Sequence, residues 1–355
     1  MNRMNSEENG FFFWDRGNII PASEGEHQFS KEYILSVAED LKHHTKRAFE
    51  RSIYEIIDIL DNVAETLHFE VEILAEMAGI SEREAAEESE QIKKFLKKEN
   101  MKRLLEAEFD NIEALDGFYP RQDVLLTYIP KGLVLHNLAG NAIIVAPSSL
   151  AIGLVTKNVN LLKLPSNDFY TGPVIAREIA KHDAEMGEEI STLYWPGSDT
   201  AIYNALFGLD CEHSTPLVDC CIAWGGQTSI QSMREKCAKA GVDFVEHGPK
   251  LSFSVYFTKD ISRKELKKAL ESTAIDIIKR RGQACKSPRF IAVQRNGIVD
   301  IAEFATMLRD ALIKANERYP ATEETLERAA QSKEYLRGQG FKLKIPQNMT
   351  NEAVV

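Results

Sequence analysis

From about residue 123 the chain alternates short β-rich runs with helix-like segments, and this alternation restricts the fold more than any other feature. The β-rich runs occupy 124–129, 133–136, 159–164, 218–224, 244–246 and 252–257. Helical patterning fills 148–156, 174–183, 227–240 and 263–280 between several of them. Strands separated by helical crossovers pair in parallel, so the expected class is α/β with a substantially parallel sheet.

The residues before this region read as helical. Between 32 and 67, Tyr33, Ile34, Val37, Leu41, Ile53, Ile56, Ile57 and Leu60 recur at spacings of mostly three and four, which makes one apolar stripe. Ser81 and Glu84 have the spacing of a capping box. Phe11, Phe12, Phe13 and Trp14 form an aromatic cluster ahead of the helices, expected to dock on the body or on a partner subunit. Past the last β-rich run, 303–315 and 322–337 read as amphipathic helices and 341–345 as a strand.

Charge and cysteine usage narrow the chemistry. A formal charge of -11, with basic residues scattered among acidic ones, argues against nucleic acid or an anionic membrane as the main partner. The five cysteines, at 211, 220, 221, 237 and 285, show neither metal-ligand nor disulfide spacing. No run approaches the ~18 apolar residues of a membrane span, and the expected setting is soluble and cytoplasmic.

Cys285 stands behind Gly282-Gln283-Ala284 and ahead of the apolar run 290–293. A thiolate there can hold an acyl group as a thioester, and Lys279, Arg280, Arg281 and Lys286 are cations able to favour that thiolate. A lone cysteine also serves as a small buried hydrophobe. Gly225-Gly226 follows a strand and opens a helix, a place for a phosphate or simply a tight turn. Lys163 ends another strand, where ligands bind in open α/β sheets and where lysines are also commonly just solvated.

Five ordered blocks then add up to a resemblance: Gly140-Asn141-Ala142-Ile143, the stretch Lys157 to Ser166, Trp224-Gly225-Gly226, Glu246-His247-Gly248-Pro249-Lys250, and Gly282-Gln283-Ala284-Cys285. Their order and spacing resemble the aldehyde dehydrogenase superfamily. Leu135 to Asn141, Ser148-Ser149-Leu150 and Cys285 to Arg289 look most like its LuxC-type acyl-CoA reductases, which make long-chain aldehydes from acyl thioesters.

The resemblance implies an aldehyde-dehydrogenase-like α/β fold. A helical N-terminal region and a Rossmann-type dinucleotide-binding domain would occupy 1–246, and an α/β catalytic domain 247–355. It implies Cys285 as nucleophile, Asn141 as oxyanion donor, Lys163 at the adenosine ribose, and Gly225 and Gly226 at the pyrophosphate. Ser166 stands where NAD-preferring members often carry a ribose-binding glutamate, so NADPH is the expected cofactor. Glu246 matches the glutamate that activates water in hydrolytic members and is either a proton carrier here or a strand-end carboxylate. His136 and His247 are expected to be hydrogen-bonded structural residues. Acyl-CoA or an acyl-carrier protein is the expected substrate, with an acyl-protein synthetase partner and homo-oligomerisation as further expectations. Only 70 residues follow Cys285, shorter than the family norm. A hydrolytic aldehyde dehydrogenase, or an inactive shortened subunit that binds a partner, therefore stand as alternatives.

Overall fold

The computed structural model describes residues 11–22, 29–210, 212, 214–279 and 284–320. The expected elements at 322–337 and 341–345 lie outside them, as do Cys211 and the Gly282-Gln283 step before Cys285. The chain divides into two compact units, residues 1–78 with 86–248 and residues 79–85 with 249–355.

Eleven strands are described: β1 (Phe12–Asp15), β2 (Asn18–Pro21), β3 (Tyr119–Arg121), β4 (Val124–Leu126), β5 (Leu133–Asn137), β6 (Val159–Lys163), β7 (Ile190–Leu193), β8 (Cys220–Trp224), β9 (Asp243–His247), β10 (Ser252–Tyr256) and β11 (Pro288–Val293). In the first unit seven strands form a sheet in the order β2-β1-β7-β6-β5-β8-β9. The pairs β5–β6, β6–β7, β5–β8 and β8–β9 are parallel, whereas β1 runs antiparallel to both β7 and β2. The strand order therefore reverses between β5 and β8, the place where open α/β sheets leave a crevice for ligands.

β7 is not legible in the sequence because buried Ser191 and Thr192 interrupt Ile-Ser-Thr-Leu, which leaves neither an apolar run nor an inside-outside alternation. The run 124–129 yields only the three-residue β4, which pairs with β3 as a separate hairpin. The aromatic cluster docks on the body. Phe12, Phe13 and Trp14 are buried, and Trp14 donates its indole N–H to the Gly187 carbonyl at 2.9 Å. Arg16 and Gly17, at φ 45° and 87°, supply the positive φ values that a tight β1–β2 hairpin needs.

The apolar stripe between 32 and 67 folds as three helices, Lys31–His43, Thr45–Glu50 and Ile53–Thr66. The last is capped by the Ser52 hydroxyl, which accepts from Tyr54 N. One face of the large sheet buries Leu133, Leu135, Leu161, Cys221 and Ala223 against Ile34, Val37, Leu41, Tyr203, Met233 and Cys237 from the helices Lys31–His43, Thr200–Leu206 and Gln227–Ala240.

In the second unit β10 and β11 pair in parallel, covered on one side by the helices Arg263–Ile278 and Ile301–Arg318. Their core comprises Tyr256, Leu266, Leu270, Ala274, Phe304 and Ala315. A reciprocal capping box at Ser262 and Glu265 starts the first of these helices, at the position where the sequence places its beginning. At Ser81 the structure shows the Glu84 N–H donating to the hydroxyl at 3.3 Å. The opposite side of β10–β11 exposes Phe253, Val255 and Phe290, with the two phenylalanine rings stacked at 5.0 Å.

Candidate active site

The C-terminal ends of β5, β6, β8 and β9 lie side by side and carry most of the residues picked out in the first unit. β5 continues through Leu138, whose N–H bonds the Lys163 carbonyl at 3.1 Å, into the turn that holds Gly140 and Asn141. Asn167, just after Ser166, donates its side-chain amide to the Gly140 carbonyl at 2.8 Å. A Cβ on Gly140 would sit 1.7 Å from the Asn167 oxygen, so glycine is what lets these two turns close on each other. The structure thereby brings the Asn141 turn beside the Lys163–Ser166 segment.

Lys163 is 7% exposed, and burial pushes its ammonium down to about 8, because desolvation disfavours the charged form. Among the described residues no carboxylate bonds to it, and its Nζ lies 5.6 Å from the Tyr194 ring centroid. A buried cation with only an aromatic face for company suits an anionic or hydroxyl-rich ligand. Ser166 is exposed in the turn that follows β6.

Gly225 and Gly226 join β8 to the helix Gln227–Ala240, and the Gly225 N–H reaches the His247 carbonyl at 3.4 Å. Among the described residues, a Cβ on Gly226 would meet nothing within 4 Å, so the helix N-terminus is open at that point. The N–H groups of that first turn and the helix dipole favour a phosphate there. Together with Lys163, these features fit a dinucleotide.

Glu246, on β9, is exposed and paired with Arg234 of the helix Gln227–Ala240. The next residue, His247, stacks its ring on Trp224 at 3.8 Å between centroids and 14° between planes.

His136 is fully buried, and burial pushes its imidazolium down to about 4. Its Nδ1 lies 2.7 Å from Ser149 Oγ and its Nε2 lies 3.0 Å from Asn160 Oδ1. The Trp224 indole N–H in turn donates to Ser149 Oγ at 3.1 Å. His136 is thus the hydrogen-bonded residue the sequence suggested. The linking roles of Ser149 and Trp224 were not foreseen, because their partners are distant in the chain.

In the second unit Cys285 is the exposed member of the four described cysteines; Cys220, Cys221 and Cys237 are buried. Burial pushes the Cys220 thiol up to about 11, which keeps it protonated and inert. Cys285 lies in a turn closed by Ser287 N–H to the Ala284 carbonyl at 3.0 Å, and its own carbonyl accepts from the Ser252 hydroxyl. The Ser287 hydroxyl donates to the Asp276 carbonyl at 2.6 Å, which ties the turn to the helix Arg263–Ile278. Lys286 forms an ion pair with Asp276 at 2.6 Å.

Residues 48–355 match the family described as acyl-CoA reductase (LuxC). The long-chain acyl-protein thioester reductase of Aliivibrio fischeri is 29% identical over 179 residues, which cover 50% of this chain and 35% of that protein. Long-chain acyl-protein thioester reductase 2 of Photobacterium leiognathi is 29% identical over 191 residues, or 53% of this chain and 37% of that protein. The matched stretch thus spans little more than a third of these relatives.

Among solved structures, an indole-3-acetaldehyde dehydrogenase bound to NAD+ superposes with a TM-score of 0.72 at 14% identity, covering 97% of this chain and 74% of that one. The NADP-dependent glyceraldehyde-3-phosphate dehydrogenase of Bacillus halodurans, complexed with NADP, gives 0.71 at 16% identity, with 97% and 75% covered. These likenesses establish an aldehyde-dehydrogenase-like fold. The match over residues 48–355 places the chain in the LuxC acyl-CoA reductase family.

Proposed function

We propose that this chain reduces a long-chain acyl thioester, delivered by coenzyme A or an acyl-carrier protein, to a fatty aldehyde with NADPH. The observation that carries this reading is Cys285, exposed in its turn while the other described cysteines are buried, in a chain of this family. The unit ending at Gly248 is assigned to dinucleotide binding, and the unit that follows to the nucleophile.

The Cys285 thiolate attacks the thioester carbonyl carbon, and the carbonyl electron pair moves onto oxygen. Asn141 is assigned to donate its amide N–H to that oxyanion, a contribution of about 3 kcal/mol where such donors have been removed. Collapse re-forms the carbonyl and expels the donor thiolate, which takes a proton from water and leaves S-acyl Cys285. A bound NADPH supplies a hydride for the acyl carbon. The resulting thiohemiacetal oxyanion on Cys285 collapses with cleavage of the C–S bond, releasing aldehyde and restoring the thiolate.

Lys163 and the Gly226 helix N-terminus would hold the dinucleotide. Ser166 offers no carboxylate to repel a ribose phosphate, which favours NADPH over NADH. Glu246 stays outside the reductive steps, since its carboxylate is committed to Arg234 and no water needs activation.

Incubation with a long-chain acyl-CoA, followed by intact mass, should add one acyl group, and peptide mapping should place it on Cys285. Addition of NADPH should discharge it as aldehyde, with kcat/KM higher than for NADH. Release as fatty acid would support a hydrolytic dehydrogenase instead, and an unmodified Cys285 would support a binding subunit.

A further inference from the structure

The contacts around His136 form one directed chain. Asn160 Nδ2 donates to the Asn158 carbonyl at 2.7 Å, which turns Oδ1 toward His136 as an acceptor. His136 Nε2 must therefore carry the proton, and Nδ1 is the acceptor of a neutral ring. Ser149 then donates its hydroxyl proton to Nδ1 and accepts from the Trp224 indole N–H. Every polar atom named has its partner, and every step runs in one direction, from Trp224 through Ser149 and His136 to Asn160.

This chain starts at Trp224, a partly buried side chain at the C-terminal edge of the sheet. Trp224 is the last residue of β8, directly before Gly225 and Gly226, on the strand beside the point where the sheet order reverses. It is only partly buried, and its indole stacks on His247 at the end of β9. Ser149 lies on the helix Val145–Val155, which begins four residues after Asn141. The network consequently joins the Asn141 segment, the strand that ends in Lys163 and the Gly225–Gly226 turn through fixed hydrogen bonds, with no charged member to attract water.

We propose that His136 and Ser149 are positioning residues that hold the Trp224–His247 ring pair as an aromatic wall against which the pyridine dinucleotide packs. The proposal rests on the nicotinamide-dependent reading above. A stacked indole and imidazole give a rigid planar surface, and the bond from Ser149 fixes the rotation of the indole on that surface. Without it the indole is free to turn, and part of the nucleotide's binding free energy goes into ordering the ring.

The test is the NADPH dissociation constant of the full chain, followed by nucleotide fluorescence, alongside acylation of Cys285 by acyl-CoA without nucleotide. Ser149→Ala should raise the constant about tenfold and change the acylation rate by a much smaller factor. Trp224→Phe keeps a ring on His247 but loses the N–H; it should raise the constant by a similar factor, and the double variant should add little more. His136→Gln retains one acceptor and one donor and should return to within about threefold of wild type, whereas His136→Leu should not. A folded Ser149→Ala protein with unchanged NADPH affinity, beside a wild type that binds, overturns the positioning role alone. A wild type that binds neither NADPH nor NADH overturns the nicotinamide reading and the wall with it.

Discussion

Lys286 Nζ lies 2.6 Å from Asp276 Oδ1, so the cation adjacent to Cys285 in sequence is already neutralised by a carboxylate of the preceding helix. A thiol gains nucleophilicity from nearby positive charge, and this pair withholds it. Asp276→Asn should free the ammonium and remove an anion beside the Cys285 turn. Alkylation of Cys285 by iodoacetamide, read by peptide mass, should accelerate roughly threefold at low salt and less at high salt. A rate equal to wild type would show that Lys286 does not reach the thiol's field.

His136 ties acid stability to one ring. Its value falls from 6.5 to about 4 because burial disfavours the charged form. The unfolded chain therefore binds more protons between those two values, and stability is lost as pH falls from about 6.5 to 4. The full span corresponds to a few kcal/mol, on the order of 3 at most. His136→Gln should flatten the denaturation midpoint over that window while leaving behaviour above pH 7 nearly unchanged. An equally steep acid loss in the variant would assign the effect to other groups.

Lys163 sets the opposite limb. With its ammonium held at about 8, it loses charge at a pH where an ordinary lysine keeps it. Unfolding restores the ordinary value of 10.5, so the unfolded chain binds the extra proton and stability rises as pH climbs from about 8 toward 10.5. Binding of an anionic dinucleotide runs the other way: NADPH affinity should fall above about pH 8, severalfold within the first unit of pH. Lys163→Met should weaken binding at pH 7 and abolish that pH dependence, measured by nucleotide fluorescence. A wild-type constant independent of pH from 7 to 9 would remove Lys163 from the phosphate-bearing end.

Gly153 is where the buried network limits its own surroundings. A Cβ there would lie 1.9 Å from Asn160 Oδ1 and 3.1 Å from His136 Cε1. Glycine is what allows the helix Val145–Val155 to approach β5 and β6 closely enough for Ser149 to bond His136. Gly153→Ala should cost about 2 kcal/mol or more, despite alanine's higher helix propensity, because the neighbours are fixed hydrogen-bond partners. A gain in thermal midpoint would mean that the network can shift at little cost.

How much of this was legible follows from the range over which each contact acts. The parallel strands β5, β6 and β8 are local apolar runs bounded by turns, and they stand where the sequence placed them. Lys163, Ser166, Asn141 and the Gly225–Gly226 turn gather at one edge because strand ends do so in any parallel sheet. β7 was hidden because its buried centre is Ser191-Thr192, which breaks the apolar run that marks the other buried strands. The His136 network joins residues 13, 24 and 75 positions apart, and nothing in the sequence announces that Ser149 accepts from Trp224. The commitments of Lys286 to Asp276 and of Glu246 to Arg234 are likewise matters of packing: both charges read as available in the sequence, and both are paired in the fold.

Glu246 offers the clearest separation of reduction from hydrolysis. Its carboxylate is exposed and paired with Arg234, a surface pair of the kind that contributes at most about 1 kcal/mol to stability. Glu246→Gln should therefore fold normally. In the reductive sequence Cys285 accepts and releases the acyl group while the hydride goes directly to carbon, so no step calls for a base that activates water. Aldehyde formation from acyl-CoA and NADPH should stay within about threefold of wild type, since loss of a positioned general base typically costs a hundredfold or more. The residual release of fatty acid from S-acyl Cys285 without NADPH should be equally unaffected, because Arg234 already engages the carboxylate. A hundredfold loss of aldehyde formation would return Glu246 to the mechanism as a proton carrier. A selective loss of fatty-acid release would show that the pair with Arg234 opens during turnover and that the chain retains a hydrolytic branch.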